Sequence, residues 1–331
     1  MTLQFNPSDV LAQLEAAKHI CVMSHVSPDG DAIGSLLGLT SALRASGNQV
    51  SPCIPDDVPK VFSFLPGSHD INNDVPASAD LFVTLDCAGM DRLGKLAKQI
   101  PPQPHINIDH HISNTRYAHI NLVDTRIAST SEYLVILLEK LGVQIDSVVA
   151  TCLLTGIVTD TLGFRTPNTT PDTLATAQTL MELGAPLHEI YDRTMHQRSL
   201  SATRLWGHAL SDVQSHDGLV WASLPLSAKA KVGYTASGDA DVVTQLTAIE
   251  TTDVAVVFVE RINGEIKISW RSTTGMNVEP IARSFGGGGH QAASGANLYD
   301  TSLADAEREV LSRTRIAMRQ FRQNGNKDAI I

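Results

Sequence analysis

Residues 19–47 read HICVMSHVSPDGDAIGSLLGLTSALRASG, and their pattern decides the fold class. His19–His25 is a short apolar run of strand length, and Pro28 and Gly30 then punctuate a loop. From Asp31 to Ser46 the residues Ile33, Leu36, Leu37, Leu39 and Leu43 recur at helical spacing, and Gly47 supplies the stop. Strand, turn and helix in that order form the repeating unit of a mostly parallel sheet covered by helices. Two further strands read at Leu81–Asp86 (LFVTLD) and Ile106–Asp109 (INID). A helix spans Ser129–Leu141, and an apolar segment of open type runs from Val148 to Val158. Sheets of this kind place ligands at the carboxyl ends of their strands.

From Thr170 to about Val213 the pattern is helical, divided by Gly184 and Pro186, and its later part reads as a connector. After Ser215 the texture turns to strands at Leu219–Leu224, Val254–Arg261 and Glu265–Arg271. Asn263-Gly264 between the last two is a hairpin signal. A helix over Ser302–Arg322 closes the chain. The expected organisation is an α/β parallel-sheet domain over 1–190, a helical connector over 191–215, a smaller α/β domain over 216–325 and a tail over 326–331.

The composition agrees with two packed domains. With 331 residues, 43% hydrophobic and 18% charged, the chain is neither disordered nor collagenous nor a small disulfide scaffold. Its net charge of −10 disfavours non-specific binding along duplex DNA, while leaving room for a small anion in one local pocket. The acids concentrate early: residues 1–215 hold 22 acidic against 13 basic side chains, so carboxylates collect in the first two-thirds. Cys21, Cys53, Cys87 and Cys152 form no CxxC pair and read as buried, reduced thiols of a cytoplasmic protein. The opening Met1-Thr-Leu-Gln-Phe-Asn-Pro does not resemble a signal peptide, and no apolar run has membrane-spanning length.

Acids and imidazoles gather where the strands end. His25, Asp29 and Asp31 lie in His-Val-Ser-Pro-Asp-Gly-Asp directly after the first strand, where Gly30 permits a tight turn between two carboxylates. A turn with Asp31 as helix N-cap explains the same residues without a metal. Asp86 ends the second strand, and Asp109-His110-His111 ends the third. One acid at a strand end is ordinary; three consecutive strand ends are not. Asp160, in Thr155-Gly-Ile-Val-Thr-Asp-Thr, is weak alone and stronger as the completion of the set.

His25-x-x-x-Asp29-x-Asp31, Asp86, Asp109-His110-His111 and Asp160 resemble, in order and spacing, the motifs of the DHH phosphoesterases. Phe285-Gly-Gly-Gly-Gly-His290-Gln-Ala-Ala-Ser-Gly295 resembles the glycine-rich signature of their DHHA1 domain, so the likeness covers about residues 8–325. It implies a DHH catalytic domain followed by a DHHA1 substrate-binding domain, in the compact branch of nanoRNases and pAp phosphatases. It also implies two divalent ions, one on His25, Asp29 and Asp86, the other on Asp31, Asp86, His110 and Asp160, with Asp86 shared. Manganese is the expected ion, with Mg²⁺ or Co²⁺ as substitutes. A hydroxide bridging ions ~3.5–4 Å apart would attack phosphorus in line. Asp109 would orient a histidine, and His111 would serve the scissile phosphoryl or leaving oxygen as general acid.

In the second domain the resemblance assigns Arg271, in Ile-Ser-Trp-Arg-Ser, to the substrate pocket; alternation puts it on the face opposite Ile268 and Trp270. Gly286–Gly289 offers amides without side chains, a pattern suited to an anion-binding nest, so Gly287, Gly288 and His290 join the substrate set. Asn114 and Arg116 follow the DHH triplet closely enough to reach substrate, and a loop role explains them equally. His196, Trp206 and His208 read as packing or hinge residues. The arginines of the last helix interleave with Glu307 and Glu309 and read as a solvated face. The expected partners are short oligoribonucleotides and pAp, not long duplex DNA or membrane, with a homodimer allowed. The rival activities are cyclic-dinucleotide or pApA hydrolysis within the same family, and nucleotide binding without catalysis.

Overall fold

The computed structural model describes residues 7–102, 105–236, 238–289 and 291–328. Two compact units follow one another along the chain, the first ending at Gln197 and the second beginning at Arg198.

The first unit opens with helix α1 (Pro7–Ala16), which sequence reading did not anticipate. Its centre is a five-stranded, all-parallel sheet in the order β2-β1-β3-β4-β5, comprising β1 (Ile20–Met23), β2 (Val50–Cys53), β3 (Leu81–Leu85), β4 (Ile106–Asp109) and β5 (Ile120–Val123). Every residue of β1 and β3 is buried, as expected of a sheet covered on both faces. Strand β2 carries Pro52 and lies at one edge, where a missing amide breaks no inner ladder. The covering helices are α2 (Gly30–Ala45), α3 (Thr130–Leu141), α4 (Ser147–Asp160), α5 (Pro171–Glu182) and α6 (Leu187–Tyr191). The apolar run from Val148 to Val158 is therefore helix, and Asp160 comes from a helix end rather than a strand end.

Helices α2 and α4 touch backbone to backbone. A Cβ on Gly34 would lie 2.8 Å from the Gly156 nitrogen, and one on Gly156 would lie 2.7 Å from Asp31 Oδ1. Only glycine at both positions lets the two helices close to this distance.

In the second unit, α7 (Leu200–Ser211) packs Leu205 and Ala209 into that unit's own core. A six-stranded mixed sheet runs in the order β10-β11-β9-β8-β7-β6. Its strands are β6 (Gln214–His216), β7 (Leu219–Leu224), β8 (Val254–Glu260), β9 (Ile266–Ser272), β10 (Gly288–Gly289) and β11 (Ala293–Leu298). Short helices α8 (Leu226–Val232), α9 (Val242–Leu246) and α10 (Glu279–Arg283) accompany it, and α11 (Leu303–Asp328) closes the described chain. Helix α11 thus runs into the stretch expected to be a tail, whose last residues, 329–331, lie outside the described ones.

Strand alternation splits the sheet's contacts. Val256, Phe258, Ile268 and Trp270 pack with α10 and α11, while Ala255, Val257 and Val259 pack with α7 and α9. The hairpin between β8 and β9 turns through Ile262-Asn263-Gly264, with Gly264 at φ +78° and the Arg261 amide donating to the Glu265 carbonyl (2.9 Å). The loop thus has three residues with glycine in the left-handed position, a common hairpin form. All four cysteines are free and buried. Among the described residues no helix is long and apolar enough to cross a membrane.

Candidate active site

Parallel strands bring their carboxyl ends to one side of the first unit's sheet. Strand β1 leads into His25, β3 into Asp86, and β4 ends at Asp109 before His110 and His111. Asp29 caps α2, its Oδ1 accepting from the amides of Asp31 (3.1 Å) and Ala32 (3.0 Å). The cap is thus Asp29, not Asp31, and Asp31 is free to turn inward from the first helical turn. Asp86 holds φ at +55°, a left-handed conformation that costs a non-glycine residue energy and persists only where its surroundings over-determine it. Its amide donates to the Ile108 carbonyl at 3.0 Å, which ties the strained residue to β4.

These groups converge. His25 Nε2 lies 3.3 Å from Asp86 Oδ2 and 4.0 Å from Asp29 Oδ1. His110 Nε2 lies 3.5 Å from Asp86 Oδ1 and 3.6 Å from Asp160 Oδ2. Three sets, His25–Asp29–Asp86, Asp31–His110–Asp160 and Asp86–Asp109–His110–His111, each have potential ligand atoms within 4.8 Å of one another and could hold a metal ion. All the acids and histidines singled out in the first 160 residues therefore meet in one place.

The first residues of α3, a helix that the sequence predicts without giving them a part in the site, complete the cluster. Asp31 accepts from the Thr130 amide through Oδ2 (2.7 Å) and from the Ser131 amide through Oδ1 (2.9 Å). Thr130 Oγ1 also donates to Asp86 Oδ1 (3.0 Å). Ser129 Oγ caps the helix by accepting from the Glu132 amide (3.0 Å), and Glu132 reaches back to the Ala128 amide (2.9 Å). The signal was present as Ser129-Thr-Ser-Glu132, a capping-box spacing.

Electrostatics explain why a cation belongs here. Burial and Asp86 push the Asp31 carboxyl up to about 7. Burial, Asp31 and Asp86 raise Asp160 well above the usual carboxylate range. Burial alone would raise Asp86 too, but the hydrogen bond from His25 and the imidazoles of His111 and His110 hold it well below that range. Crowded carboxylates that take up protons in the absence of an ion, with imidazoles among them, fit a divalent-cation site.

Asp109 is fully buried and its oxygens are already engaged. Oδ1 accepts from the His110 amide (2.8 Å) and from His111 Nδ1 (2.7 Å), and Oδ2 accepts from Asn114 Nδ2 (2.6 Å). Asp109 therefore orients His111. Burial would lower the His111 pKa, but the Asp109 hydrogen bond and the charge of Asp86 raise it above its ordinary value. Asn114 also donates to Asn107 Oδ1 (2.8 Å), and its own Oδ1 accepts from the Arg116 amide (2.7 Å). The side chain expected to bind substrate is thus spent holding the loop after β4 and Asp109 itself.

In the second unit Arg271 pairs in register with Ala255 and Ala293, on the sheet face opposite Trp270 as alternation requires. It is half-buried, with Nη1 donating to the Trp270 carbonyl (3.0 Å). Burial lowers its pKa, and Asp239 and Asp241 act in the other direction. The glycine run is no open nest. The Gly286 and Gly287 amides donate to the Arg283 (3.0 Å) and Ala282 (2.9 Å) carbonyls, and Gly288–Gly289 pairs with β11. A Cβ on Gly287 would lie 2.7 Å from Ala296 Cα, while one on Gly288 would meet open space. Close strand packing explains the first of these glycines and leaves Gly288 accessible. His290 lies outside the described residues. Of the connector residues, Trp206 Nε1 donates to the Ala240 carbonyl (2.6 Å), and His196 lies 3.5 Å from Asp192. On α11, Arg308 pairs with Asp305 and Arg313 with Glu309, so both are neutralised by neighbours on their own helix.

Residues 19–157 match the model of the DHH family, N-terminal domain, and residues 227–316 match the DHHA1 domain. The chain is 38% identical over 314 residues to the bifunctional oligoribonuclease and PAP phosphatase NrnA of Thermus thermophilus, covering 93% of this chain and 92% of that one. The protein of the same name from Bacillus subtilis is 30% identical over 86% of this chain and 91% of its own length. Among solved structures, an exopolyphosphatase-related protein from Bacteroides fragilis superposes with a TM-score of 0.87 at 28% identity, covering 95% of this chain and 96% of that one. The RecJ structure from Thermus thermophilus, at 16% identity and a TM-score of 0.56 over 96% of this chain and 55% of that one, shares the fold.

Proposed function

Since the chain belongs to the DHH family of phosphoesterases and carries a DHHA1 domain, we propose that it degrades very short oligoribonucleotides to mononucleotides and removes the 3′-phosphate from pAp. The carrying observation is the convergence of His25, Asp29, Asp31, Asp86, His110 and Asp160 at one end of a parallel sheet. The names of the Thermus and Bacillus relatives, aligned over most of both chains, supply the substrate class.

Manganese is the proposed ion, because mixed imidazole and carboxylate donors suit it, with Mg²⁺ or Co²⁺ as substitutes. One ion would be held by His25, Asp29 and Asp86, the other by Asp31, Asp86, His110 and Asp160. When bound, such a pair lowers the pKa of the attacking water and offsets the charge that develops on the phosphoryl oxygens. Asp86, held between the two sets, would serve both. The α3 amides at Thr130 and Ser131 aim the Asp31 carboxylate. Asp109 accepts from His111 Nδ1 and so orients the ring, whose Nε2 would donate a proton to the leaving oxygen. Against the cost of burial, the Asp109 hydrogen bond and the Asp86 charge favour the protonated imidazole in the metal-free protein. Arg271, Gly288 and His290 of the second unit would grip the phosphate or nucleotide that is not cleaved, and Gly287, its amide already engaged, would set the loop close against β11.

A substrate panel tests the reading: Mn²⁺-loaded protein with pAp, di- to pentaribonucleotides, cyclic dinucleotides and pyrophosphate, beside Asp86→Ala. AMP from pAp and mononucleotides from the oligomers are expected, with Asp86→Ala inactive on all of them. Turnover confined to cyclic dinucleotides or pyrophosphate would replace this reading with its rivals, and full activity in Asp86→Ala would remove the shared-carboxylate site.

A further inference from the structure

Near the cluster, the first unit has a cavity of about 250 Å³, formed by the loop after β4, the end of β5 and α3. Arg116, Asn121, Asp124, Arg126 and Tyr133 line it. Arg116 and Arg126 are cations and Asp124 an anion, so the lining is net positive in a chain of net charge −10. Asp124 holds Arg126 in a two-pronged pair, Oδ1 accepting from Nε (2.9 Å) and Oδ2 from Nη2 (2.6 Å). Arg116 is exposed, its backbone stands at φ +52°, and its side chain has no carboxylate partner among the described residues. Tyr133 lines this cavity; the residue is only 3% exposed, but its hydroxyl oxygen reaches solvent and makes no hydrogen bond among the described residues. A hydroxyl that faces solvent with no partner in the protein is available to donate to an anion in the cavity.

The cavity is tied to the catalytic cluster by short covalent and hydrogen-bonded paths. Tyr133 lies one helical turn, ~4.5 Å along the axis, beyond Thr130, which donates to Asp86. Asn114 joins the Arg116 amide to Asp109 Oδ2, and the Asp124 amide donates to the Asp109 carbonyl (3.2 Å). We propose that Arg116, Arg126 and Tyr133 form a second phosphate subsite, which takes a phosphodiester of an oligoribonucleotide beyond the one being cleaved. Arg116 supplies the free guanidinium, Arg126 a guanidinium already oriented by Asp124, and Tyr133 a neutral hydroxyl donor, its pKa pushed up to about 12 chiefly by burial. Such a subsite makes the enzyme sense chain length. The proposal rests on the oligoribonuclease reading above, since pAp lacks a further internucleotide phosphate.

The test compares wild type, Arg116→Gln and Tyr133→Phe on pAp and on tri- and pentaribonucleotides with Mn²⁺, and measures pentaadenylate binding by calorimetry with Ca²⁺. Losing a charge-assisted contact is expected to lower the pentamer-to-pAp ratio of kcat/KM by about tenfold in Arg116→Gln. The loss should lie mainly in KM, with a smaller change of the same sign in Tyr133→Phe. Pentaadenylate binding should weaken in parallel. Equal losses on pAp and pentamer, or unchanged pentaadenylate binding by both variants, would overturn the subsite. Wild type that binds pentaadenylate through Arg116 but cleaves no oligomer would instead refute the oligoribonuclease reading.

Discussion

At Asp31, two helix amides compete with a crowd of like charges. Without metal, burial and Asp86 raise its carboxyl from 3.8 to about 7, so near neutral pH the folded chain holds a proton that the unfolded chain releases. The resulting penalty on folding is absent below the unfolded value, grows as pH rises and is complete above about 7. The raised pKa values of His25, His110 and His111 act in the same sense: their contribution is present below 6.5 and lost as pH rises through the folded values. Asp86 shifts the other way, but its effect lies at acid pH, below 3.8. Metal-free protein should therefore melt at a higher temperature at pH 6 than at pH 8. Mn²⁺ should raise the Tm more at pH 8, where the carboxylates are ionised. Scanning calorimetry with EDTA and with Mn²⁺ checks both, and a metal-free Tm that climbs from pH 6 to pH 8 would contradict the coupling. These acids were legible because each follows a strand or an apolar run. Thr130 carries no such signal, because its partner Asp86 lies 44 residues away in sequence, and for Asn114 the structure supports the loop role that the sequence offers equally with substrate contact.

At the scale of elements, the contact of α2 with α4 sets the geometry beneath the site. Gly34→Ala would press a methyl group against the backbone of Gly156. Overpacking a rigid contact of this kind costs about 1–3 kcal/mol, and a urea titration should show it as a lowered midpoint with an unchanged slope. A wild-type midpoint would mean that the helices part without penalty. Helix α2 was readable because its apolar residues keep one period. Helix α4 stayed open in type because it is apolar on nearly every side, which leaves no period to distinguish strand from helix. Strands β2 and β11 escaped notice for a different reason. Pro52 in one and the run Ala-Ser-Gly-Ala-Asn in the other are poor strand formers, and their neighbours in the sheet hold them extended.

For the whole molecule, the proposed division of labour assigns chemistry to the first unit and recognition to the second. Arg271→Ala should leave the Mn²⁺ content unchanged, because none of the clustered acids and imidazoles belongs to its unit. It should cut kcat/KM on pAp and dinucleotides by about tenfold or more, since a charge-assisted contact to a second phosphate is lost. A small aryl phosphodiester with one phosphate should feel the change far less. Comparing the two substrate types in wild type and variant decides the matter, and equal losses on both would assign Arg271 to folding instead of recognition.

Local order along the chain was enough to determine an α/β parallel sheet at the front, a strand-rich second part and the acids and imidazoles of the cluster. Strand period, turn residues and strand-end acids are local properties, and they survive without knowledge of the partner strands. Strand order, the helix that carries Asp160, the α3 amides on Asp31 and the cavity under Tyr133 were decided only in three dimensions. Each of these depends on which distant segments pack together, and residues 31, 86, 130 and 160 become neighbours only when α2, β3, α3 and α4 close around one sheet end.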